Sequence, residues 1–219
     1  MIDSIVFDNV TMKAFADVPR QGAPSMLWNT KSVFRKGLSY LIESESGSGK
    51  SSFCSYVCGL RNDYTGKISF LSNGTAVPVD SAAASVPLRQ RAIATMFQEL
   101  RLFPELSSLD NVMLKNRITG YMSQKEICDM LSRLGLGEYI HTLCGRMSLG
   151  QQQRVAFVRT LCQPADFILL DEPVSHLDDT NAGIMAQMLR ERVEKDNVGV
   201  IVTSIGYRLP YEYDCVVRL

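Results

Sequence analysis

The chain has 219 residues, 46% of them hydrophobic and 21% charged, which is the composition of a globular protein and excludes a disordered or fibrous chain. Lysine plus arginine and aspartate plus glutamate both number 23, so the chain lacks the excess positive charge that binds duplex nucleic acid, and no nucleic-acid partner is expected. The longest apolar runs are shorter than the roughly 18 residues that cross a bilayer, and the first ten residues do not form a secretion signal. We therefore expect a cytosolic protein, or one bound to the cytosolic face of a membrane.

Short strands and a glycine-rich loop make up the first part of the chain. Glycine and proline punctuate the first 36 residues and residues 67–79, which predicts short strands in both segments. The apolar run at 38–42 predicts a buried strand. It leads through Ser-Glu-Ser-Gly-Ser-Gly-Lys-Ser at 44–51 into apolar residues at helical spacing that continue to Leu60. The local order is therefore strand, glycine-rich loop and helix.

The pattern changes to that of helices between residues 98 and 163. Capping boxes at 123–126 and 148–151 each precede apolar residues at helical spacing, which predicts two helix starts. A further amphipathic helix is predicted at 181–195. We expect these helices to cover a sheet and to include an inserted helical lobe.

Two later apolar runs, at 167–170 and 198–202, predict buried strands that end in polar residues. Asp171 and Glu172 follow the first strand, and Ser204 lies at the end of the second. The alternation of strands and helices from residue 38 onward predicts a mainly parallel sheet. Because such sheets bind ligands at the carboxyl ends of their strands, these polar residues are expected to share one site with the glycine-rich loop.

The cysteines predict neither disulfides nor a zinc site. No Cys-x-x-Cys pair occurs, and only two histidines are available as further ligands. A chain of this length buries a core without disulfides, so we expect reduced and buried cysteines. They stand at positions 54, 58, 128, 144, 162 and 215.

The glycine-rich loop contains the parts of a phosphate-binding loop. Gly47 and Gly49 allow backbone N–H groups to face phosphate oxygens, Lys50 supplies a countercharge, and Ser51 supplies a hydroxyl for Mg²⁺. Ser44 stands where this motif usually has its first glycine, and it fits there only if the position needs no positive φ.

The two acids after the strand at 167–170 complete the predicted site. Asp171 is placed to hold the metal, either directly or through water, opposite the Ser51 hydroxyl. Glu172 lies one residue further on, where a carboxylate can orient and polarise an attacking water. Acids at strand ends also serve as ordinary helix caps, but Pro173 and the upstream phosphate motif favour the catalytic interpretation.

These residues resemble the nucleotide-binding domain of ATP-binding cassette (ABC) proteins. Five motifs occur in the family's order: Ser-Gly-Ser-Gly-Lys-Ser at 46–51, Phe-Gln-Glu at 97–99, Ser-Leu-Gly-Gln-Gln-Gln-Arg at 148–154, Leu-Leu-Asp-Glu-Pro at 169–173 and Ser-His-Leu-Asp at 175–178. The third motif is peculiar to this family, and the resemblance covers almost the entire chain. It argues against a P-loop kinase of another family.

The resemblance implies a single α/β domain over residues 1–219. Its core would be a P-loop NTPase (RecA-like) fold with a mainly parallel sheet and a small antiparallel β subdomain. Residues 1–97 and 164–219 would form this core, and residues 98–163 would form an inserted helical lobe.

The resemblance also implies a role for each matching position. ATP phosphates and Mg²⁺ would be bound by the loop and the residues just after it: Ser46, Gly47, Ser48, Gly49, Lys50, Ser51 and Ser52. Gln98 would sense the metal and the attacking water, Asp171 would support the metal with Ser51, and Glu172 would be the catalytic carboxylate. Phe15 is the candidate for the aromatic ring that stacks on adenine.

Four further residues would act across a head-to-tail dimer of two such domains. Ser148, Gly150 and Gln151 would contact the γ-phosphate held by the opposite subunit. Ser148 has the pattern of an N-cap, so the positive end of its helix would point at that phosphate. Asp178 would belong to the loop that couples the two nucleotide sites.

Two more positions depart from the family's pattern. Leu149 replaces a glycine, and Ser204 stands where a histidine usually contacts the γ-phosphate. Since a serine hydroxyl is shorter than imidazole and carries no positive charge, we expect ATP binding with slowed hydrolysis.

The function implied is that of an ATP-binding and ATP-hydrolysing subunit of an ABC membrane transport complex, acting as a homodimer or heterodimer at the cytoplasmic face of the plasma (inner) membrane. Separate permease subunits would dock near the segment from Gln98 to Leu106, where Leu100, Leu102 and Phe103 supply apolar surface. The amino-acid sequence of residues 96–112 resembles that of the subgroup of lipoprotein-release, macrolide-export and cell-division cassettes.

Two alternatives remain open. A cell-division type of cassette would use ATP to signal through a membrane partner without moving a solute. A soluble ABC ATPase of DNA repair or translation is disfavoured, because repair members carry a long coiled-coil insertion, translation members carry two cassettes, and this chain has neither.

Overall fold

The computed structural model describes residues 1–15, 25–44, 47–77 and 85–219. The strands in these ranges are β1 (Ser4–Met12), β2 (Lys31–Arg35), β3 (Ser39–Glu43), β4 (Tyr64–Ser72), β5 (Thr75–Val77), β6 (Ile93–Met96), β7 (Phe167–Asp171), β8 (Gly199–Ser204) and β9 (Cys215–Arg218). The α-helices are α1 (Lys50–Val57), α2 (Ser108–Thr119), α3 (Gln124–Arg133), α4 (Leu149–Leu161) and α5 (Asp179–Asp196).

A five-stranded parallel sheet forms the centre of the fold, in the order β6-β7-β8-β3-β9. Its central strands β7 and β8 are buried along their whole length, which explains their continuous apolar sequences. Asp171 pairs in register with Thr203, and Glu43 pairs with Ser204. The ends of β3, β7 and β8 therefore lie side by side, and the predicted parallel sheet is confirmed.

A second sheet is antiparallel, with the order β2-β1-β4-β5. The register between β1 and β4 shifts after Asp8, where Gly66 comes close to the opposite strand. A Cβ at Gly66 would lie 2.2 Å from the Asn9 carbonyl oxygen, and its φ of 79° is left-handed, so this crossing requires glycine. Phe7 and Phe34 from this sheet pack against Phe53 of α1, with ring centroids 5.1 and 5.4 Å from that of Phe53. These rings join the antiparallel sheet to the helix that follows the glycine-rich loop.

Helices α2, α3 and α4 all lie in the chain between β6 and β7. The capping boxes predicted for α3 and α4 are present, with Ser123 and Ser148 as the N-caps. Ser107 caps α2 in the same way, accepting a hydrogen bond from the backbone N–H of Asp110. Apolar residues of the three helices, among them Val112, share one buried cluster with the strands β6 and β7.

The structure differs from the sequence-based expectations in three details. Helix α1 ends at Val57, so Leu60 lies outside it and is exposed. The thiol of Cys215 is exposed and that of Cys128 is half-buried, so the expectation of buried cysteines is wrong at these two positions. The edge strand β9 was not predicted, because its short sequence lacks a distinctive alternation. All six cysteines are free.

Among the described residues, no helix combines the length and the apolar character needed to cross a membrane.

Candidate functional site

The glycine-rich loop joins β3 to α1 and depends on two left-handed glycines. Gly47 has a φ of 81° and Gly49, the N-cap of α1, a φ of 101°. A Cβ at Gly49 would lie 2.5 Å from the methyl carbon of Met12 and 3.1 Å from the ring of Trp28. The Trp28 indole N–H also donates to the Ser48 carbonyl at 3.1 Å. The loop is therefore supported from behind by two buried side chains that sequence reasoning did not single out.

Lys50 is 5% exposed, and its ammonium group is held against the loop. It donates to the carbonyl and to the hydroxyl oxygen of Ser44, both at 3.1 Å. Burial lowers the pKa of Lys50, while the nearby carboxylates of Glu172 and Asp171 oppose that shift. Ser44 is not among the described residues with a positive φ. Serine is thus tolerated at this position, and its oxygens accept hydrogen bonds from Lys50.

Asp171 ends β7 as a buried carboxylate beside the loop. It accepts hydrogen bonds from the Thr203 hydroxyl of β8 and from the Ser51 side chain of α1. Burial raises the pKa of Asp171, and these two hydrogen bonds and Lys50 counteract part of the rise. Thr203 is a functional neighbour that the sequence analysis missed, although its place at the end of a buried strand was the available signal.

Glu172 has a φ of 51°, a left-handed conformation that is uncommon for a residue with a side chain. Its backbone N–H donates to the Thr203 carbonyl at 3.2 Å, and its carboxylate accepts from the Gln98 amide at 3.2 Å. Burial raises the pKa of Glu172, and the Asp171 carboxylate raises it further. Strained backbone of this kind is concentrated at functional sites, and here it directs the carboxylate toward Gln98.

These residues line one cavity of about 310 Å³. Its walls are formed by Gly47, Gly49, Lys50, Ser51, Ser52, Gln98, Glu172 and Ile205. The structure therefore brings together the loop, the first residues of α1, Gln98 and the acidic end of β7. Ser52 also accepts a hydrogen bond from the guanidinium of Arg61 at 3.0 Å.

Ser204 lies at the end of β8 but is turned away from this cavity. Its side chain is 2% exposed, and its hydroxyl donates to the Tyr207 carbonyl at 2.8 Å and accepts from the Gly206 N–H at 3.1 Å. The next residue, Ile205, is 49% exposed and lines the cavity instead. The position where the family pattern has a histidine thus stabilises a local turn.

The amino-terminal end of α4 is placed outside the cavity lining. Ser148 accepts from the backbone N–H of Gln151 at 3.3 Å, and the Gln151 side chain accepts from the Ser148 N–H at 2.9 Å. A Cβ at Gly150 would lie 2.7 Å from the His176 carbonyl oxygen, so glycine allows α4 to approach the segment after Glu172. Ser148, Gly150 and Gln151 are thus not part of the described cavity lining of their own chain.

Gln153 connects α4 to the acidic end of β7 and was missed by sequence reasoning. Its buried amide donates to the Glu172 carbonyl at 3.1 Å and accepts from the His176 N–H at 3.2 Å. The run of three glutamines at 151–153 was the only signal in the sequence. The contact links the helix that starts at Ser148 to the backbone of the acidic pair.

Asp178 is exposed and caps α5 by accepting from the Asn181 backbone N–H at 2.8 Å. These hydrogen bonds from Asn181 lower the pKa of Asp178. Two other predicted positions lie outside the described part of the chain: Ser46 entirely, and Phe15 as regards its side chain. The backbone of Phe15 belongs to a short 3₁₀ turn directly after β1.

The segment after Gln98 divides into a core and a surface part. Leu100 is 6% exposed and belongs to the core, so its expected contribution to a docking surface is wrong. Phe103 is 54% exposed, and Leu102 is half-buried against the same core. The apolar surface in this segment is therefore provided chiefly by Phe103.

In this parallel sheet, β3 leads through a left-handed glycine loop with a buried lysine into a helix, and β7, separated from β3 by β8, ends in a buried acid. This arrangement defines a P-loop NTPase fold. The family model described as ABC transporter matches residues 29–175. The chain belongs to the ABC transporter family.

The chain is similar to several proteins of this family. It is 33% identical over 205 residues to the phosphonates import ATP-binding protein PhnC of Nocardia farcinica, covering 89% of this chain and 75% of that protein. It is 31% identical over 176 residues to the lipoprotein-releasing system ATP-binding protein LolD of Hydrogenovibrio crunogenus, covering 79% and 76%. The chain is also 32% identical over 173 residues to an uncharacterized ABC transporter ATP-binding protein of Mycobacterium tuberculosis. The match covers 78% of this chain but only 52% of that protein, so the chain spans about half of that relative's length.

A solved structure is similar over most of the chain. The dimeric post-hydrolysis state of the ATP-binding cassette MJ0796, bound to ADP and Pi, superimposes with a TM-score of 0.75 at 26% identity. The match covers 91% of this chain and 87% of that one.

Proposed function

We propose that this chain binds and hydrolyses ATP as the nucleotide-binding subunit of an ABC membrane transport complex. One observation carries the proposal: a single cavity combines the left-handed glycine loop and Lys50 with Gln98 and the Glu172 carboxylate. The loop supplies backbone N–H groups and a countercharge for phosphates, while the opposite wall supplies groups that orient water. No other set of described polar residues in the chain offers both.

Oxygen ligands for a divalent cation are also present. The Ser51 hydroxyl and the Asp171 carboxylate are hydrogen-bonded to each other at the edge of the loop, and such hard oxygen donors suit Mg²⁺. We propose that Ser51 and Asp171 would hold the metal and that Gln98 would contribute to the same site from the cavity wall. When bound, Mg²⁺ neutralises phosphate charge.

Hydrolysis is assigned to the Glu172 carboxylate and the Gln98 amide. In this reaction an oxygen–phosphorus bond forms between water and the γ-phosphate while the β–γ bridging bond breaks, which yields ADP and inorganic phosphate. Glu172 orients the water and accepts a proton from it, and Gln98 holds the Glu172 carboxylate through the 3.2 Å hydrogen bond. The parent protein should convert bound ATP to ADP and inorganic phosphate, whereas the Glu172→Gln variant should bind ATP without hydrolysing it.

The chain is proposed to act as a homodimer or heterodimer of nucleotide-binding domains. Ser148, Gly150 and Gln151 lie at a helix start outside the lining of their own chain's cavity, so they are available to a phosphate held by another subunit. Asp178 is proposed to couple the two sites. Light scattering of the Glu172→Gln variant tests the homodimer: ATP should double the mass, and a mass that stays monomeric with saturating ATP would contradict the homodimer.

Hydrolysis is proposed to be slow because Ser204 supplies no imidazole. Its hydroxyl is already engaged by Tyr207 and Gly206, so it contributes nothing to the cavity wall. Loss of one charge-assisted contact of about 1.5–3 kcal/mol corresponds to turnover lower by roughly 10- to 150-fold. Ser204→His should raise turnover, and Ile205→Ala, which alters the neighbouring wall without adding a donor, is the control. Fast turnover of the parent with no gain from Ser204→His would contradict the proposal.

Docking of a permease subunit is proposed at the surface from Gln98 to Leu106, with Phe103 as its most exposed apolar residue. This would place the chain at the cytoplasmic face of the inner membrane as a peripheral subunit. Phe103→Ala should reduce co-purification with the permease and leave ATP affinity unchanged. Intact docking together with a lower melting temperature would instead assign Phe103 to the fold.

We further propose the lipoprotein-release, macrolide-export and cell-division subgroup, with residues 98–163 acting as the helical lobe. The likeness to LolD supports the subgroup, and the comparable likeness to PhnC marks phosphonate import as the competing assignment. The permease decides between them, because a large extracytoplasmic domain in the co-purified partner is expected for the subgroup. A cell-division type would bind such a partner without moving a solute in reconstituted vesicles.

A further inference from the structure

The backbone just after Gln98 contains two consecutive left-handed residues. Leu100 has a φ of 56° and Arg101 a φ of 50°, and neither is glycine. Side chains disfavour this region, so two such residues in a row persist only where surrounding contacts enforce them. The turn is also tight, with the Leu100 N–H donating to the Phe97 carbonyl at 2.9 Å.

Arg159 supplies the enforcing contacts from α4. Its guanidinium donates to the Arg101 carbonyl at 2.7 Å and to the Leu100 carbonyl through a second N–H. One planar guanidinium thus satisfies both carbonyls of the left-handed pair, a geometry that the single point charge of lysine does not reproduce. Arg101 contributes separately by stacking its own guanidinium over the Phe97 ring, 3.7 Å from the centroid.

The same turn determines where Gln98 points. Gln98 lies two residues before Leu100, and its amide reaches the Glu172 carboxylate across the cavity. Arg159 itself has no place in the cavity lining, and it lies on the helix whose amino-terminal end carries Ser148. The Arg159 hydrogen bonds therefore connect α4 to the backbone of the segment that carries Gln98.

We propose that Arg159 is a positioning residue for ATP hydrolysis, which holds the left-handed turn at Leu100 and Arg101 and thereby keeps Gln98 against Glu172. The proposal rests on the proposed ATPase function. It also assigns to Arg159 the mechanical connection between the start of α4 and the hydrolytic wall of the cavity.

The first test is the Arg159→Gln variant of the full chain. Its kcat for ATP should fall by about tenfold while its ATP dissociation constant changes less than about twofold, because Gln98 acts on the water and Lys50 binds the phosphates. A rescue variant adds Arg101→Gly, since glycine adopts the left-handed conformation without support from a guanidinium. Arg101 is exposed, so this change leaves the core intact. We expect the kcat of the double variant to be at least about threefold higher than that of Arg159→Gln, which restores about half of the loss on a logarithmic scale.

Arg192→Gln is the matched control for a purely structural effect. Like the half-buried Arg159, the buried Arg192 donates to a main-chain carbonyl, that of Gln163 at 2.9 Å, but it lines a different cavity. It should lower the melting temperature without changing kcat per folded molecule. Because Arg101→Gly also removes the stacking on Phe97, the single variant Arg101→Gly is the reference for the double variant. Unchanged kcat in Arg159→Gln overturns the proposal, as does an equal loss from Arg159→Gln with and without Arg101→Gly.

Hydrogen exchange separates this proposal from the proposed function. In Arg159→Gln, the peptide covering residues 97–103 should exchange faster than in the parent and in Arg192→Gln, with no nucleotide present. If the parent shows this protection but hydrolyses no ATP, the ATPase assignment fails while the contact role of Arg159 stands. Equal exchange in all three proteins overturns the role of Arg159 itself.

Discussion

The starts of α1 and α4 both present helix N–H groups, but their caps are built in opposite ways. Helix α1 begins after Gly49, a left-handed cap without a side-chain hydrogen bond. Helix α4 begins after Ser148, which closes a reciprocal capping box with Gln151. The first four N–H groups of a helix lack partners within the helix, so α1 leaves them for phosphate oxygens, whereas α4 satisfies one with its own side chain.

The surroundings of the two helix starts differ in the same sense. The α1 start faces a cavity with the Glu172 carboxylate and Gln98 on its other wall, and Met12 and Trp28 support the loop from behind. The α4 start is exposed at Ser148 and Leu149, and it contributes no residue to the described lining of this cavity. The comparison shows that the loop, Lys50, Gln98 and Glu172 around the α1 start come from one chain, and it supports the proposal that the α4 start contributes to the site of another subunit. Four substitutions test this difference.

The largest effect is expected from Lys50→Ala. Removing the fixed countercharge eliminates charge-assisted hydrogen bonds of about 1.5–3 kcal/mol each, so ATP affinity should fall tenfold or more and turnover should be lost. Calorimetric titration with Mg-ATP measures the affinity. Lys36→Ala is the matched control, because Lys36 pairs with Asp166 at 2.7 Å and does not line the phosphate cavity. Unaltered affinity in Lys50→Ala would show that α1 is not the phosphate site.

Glu172→Gln should abolish hydrolysis and leave ATP binding intact. In the parent, turnover requires the deprotonated carboxylate, and burial raises the pKa of Glu172. Turnover should therefore fall as the pH drops through this raised pKa, at a higher pH than an ordinary glutamate would give. A pH–rate profile of the parent measures the pH dependence of turnover, and a binding isotherm of the Glu172→Gln variant measures its affinity for ATP. Parent-rate hydrolysis by the variant would remove Glu172 from the mechanism.

The raised pKa of Glu172 in the folded protein also predicts whether its removal raises or lowers the stability of the fold. Above that pKa the unfolded chain accommodates the charged carboxylate better than the folded one does, so Glu172→Gln should increase the melting temperature at pH 7. As the pH falls and Glu172 becomes protonated in the folded protein, the difference between parent and variant should shrink. A difference that grows toward low pH would contradict the raised pKa.

Ser148→Ala should separate stability from assembly. Loss of an N-cap costs about 0.5–2 kcal/mol of folding free energy, and the same cost is expected for Ser123→Ala, which removes the equivalent capping box of α3. Only Ser148→Ala should also prevent the ATP-dependent dimer when each change is combined with Glu172→Gln. Sedimentation with ATP compares the two, and equal dimerisation would mean that the α4 start has no role beyond capping.

The smallest effect is expected from Trp28→Phe. The substitution removes one neutral hydrogen bond to the Ser48 carbonyl and keeps most of the ring packing. A net loss of about 1 kcal/mol corresponds to an ATP affinity lower by roughly fivefold, with kcat little changed. Phe7→Leu is the control, because Phe7 packs on Trp28 and Phe53 but its ring has no hydrogen-bond donor for the loop. Trp28 is the single tryptophan, so ATP binding to the parent should also change its emission.

The sequence was informative where function depends on local spacing. The order of strand, glycine loop and helix, the capping boxes at Ser123 and Ser148, and the acids directly after a buried strand were all predicted and are present. Each of these features is decided within a few neighbouring residues, by φ preferences, by side-chain hydrogen bonds to the backbone and by apolar periodicity.

Contacts between distant segments could not be predicted in this way. The contacts of Trp28 with the loop, Thr203 with Asp171, Gln153 with the Glu172 carbonyl and Arg159 with the turn after Gln98 each join residues that lie 19 or more positions apart. Ser204 was expected at the cavity and Leu100 at the surface, but the turn at Tyr207 and the core packing place both elsewhere. No local rule orients a side chain whose partners come from another element.

The sequence by itself therefore determined the class of chemistry, because a phosphate loop and an acidic strand end are short-range patterns with few other uses. The tertiary structure alone decided which groups meet: that Ile205 and not Ser204 lines the cavity, and that Gln98 reaches Glu172. The physical reason is that strand pairing and helix packing bring together segments from across the chain, and the orientation of each side chain follows from the neighbours that this packing supplies.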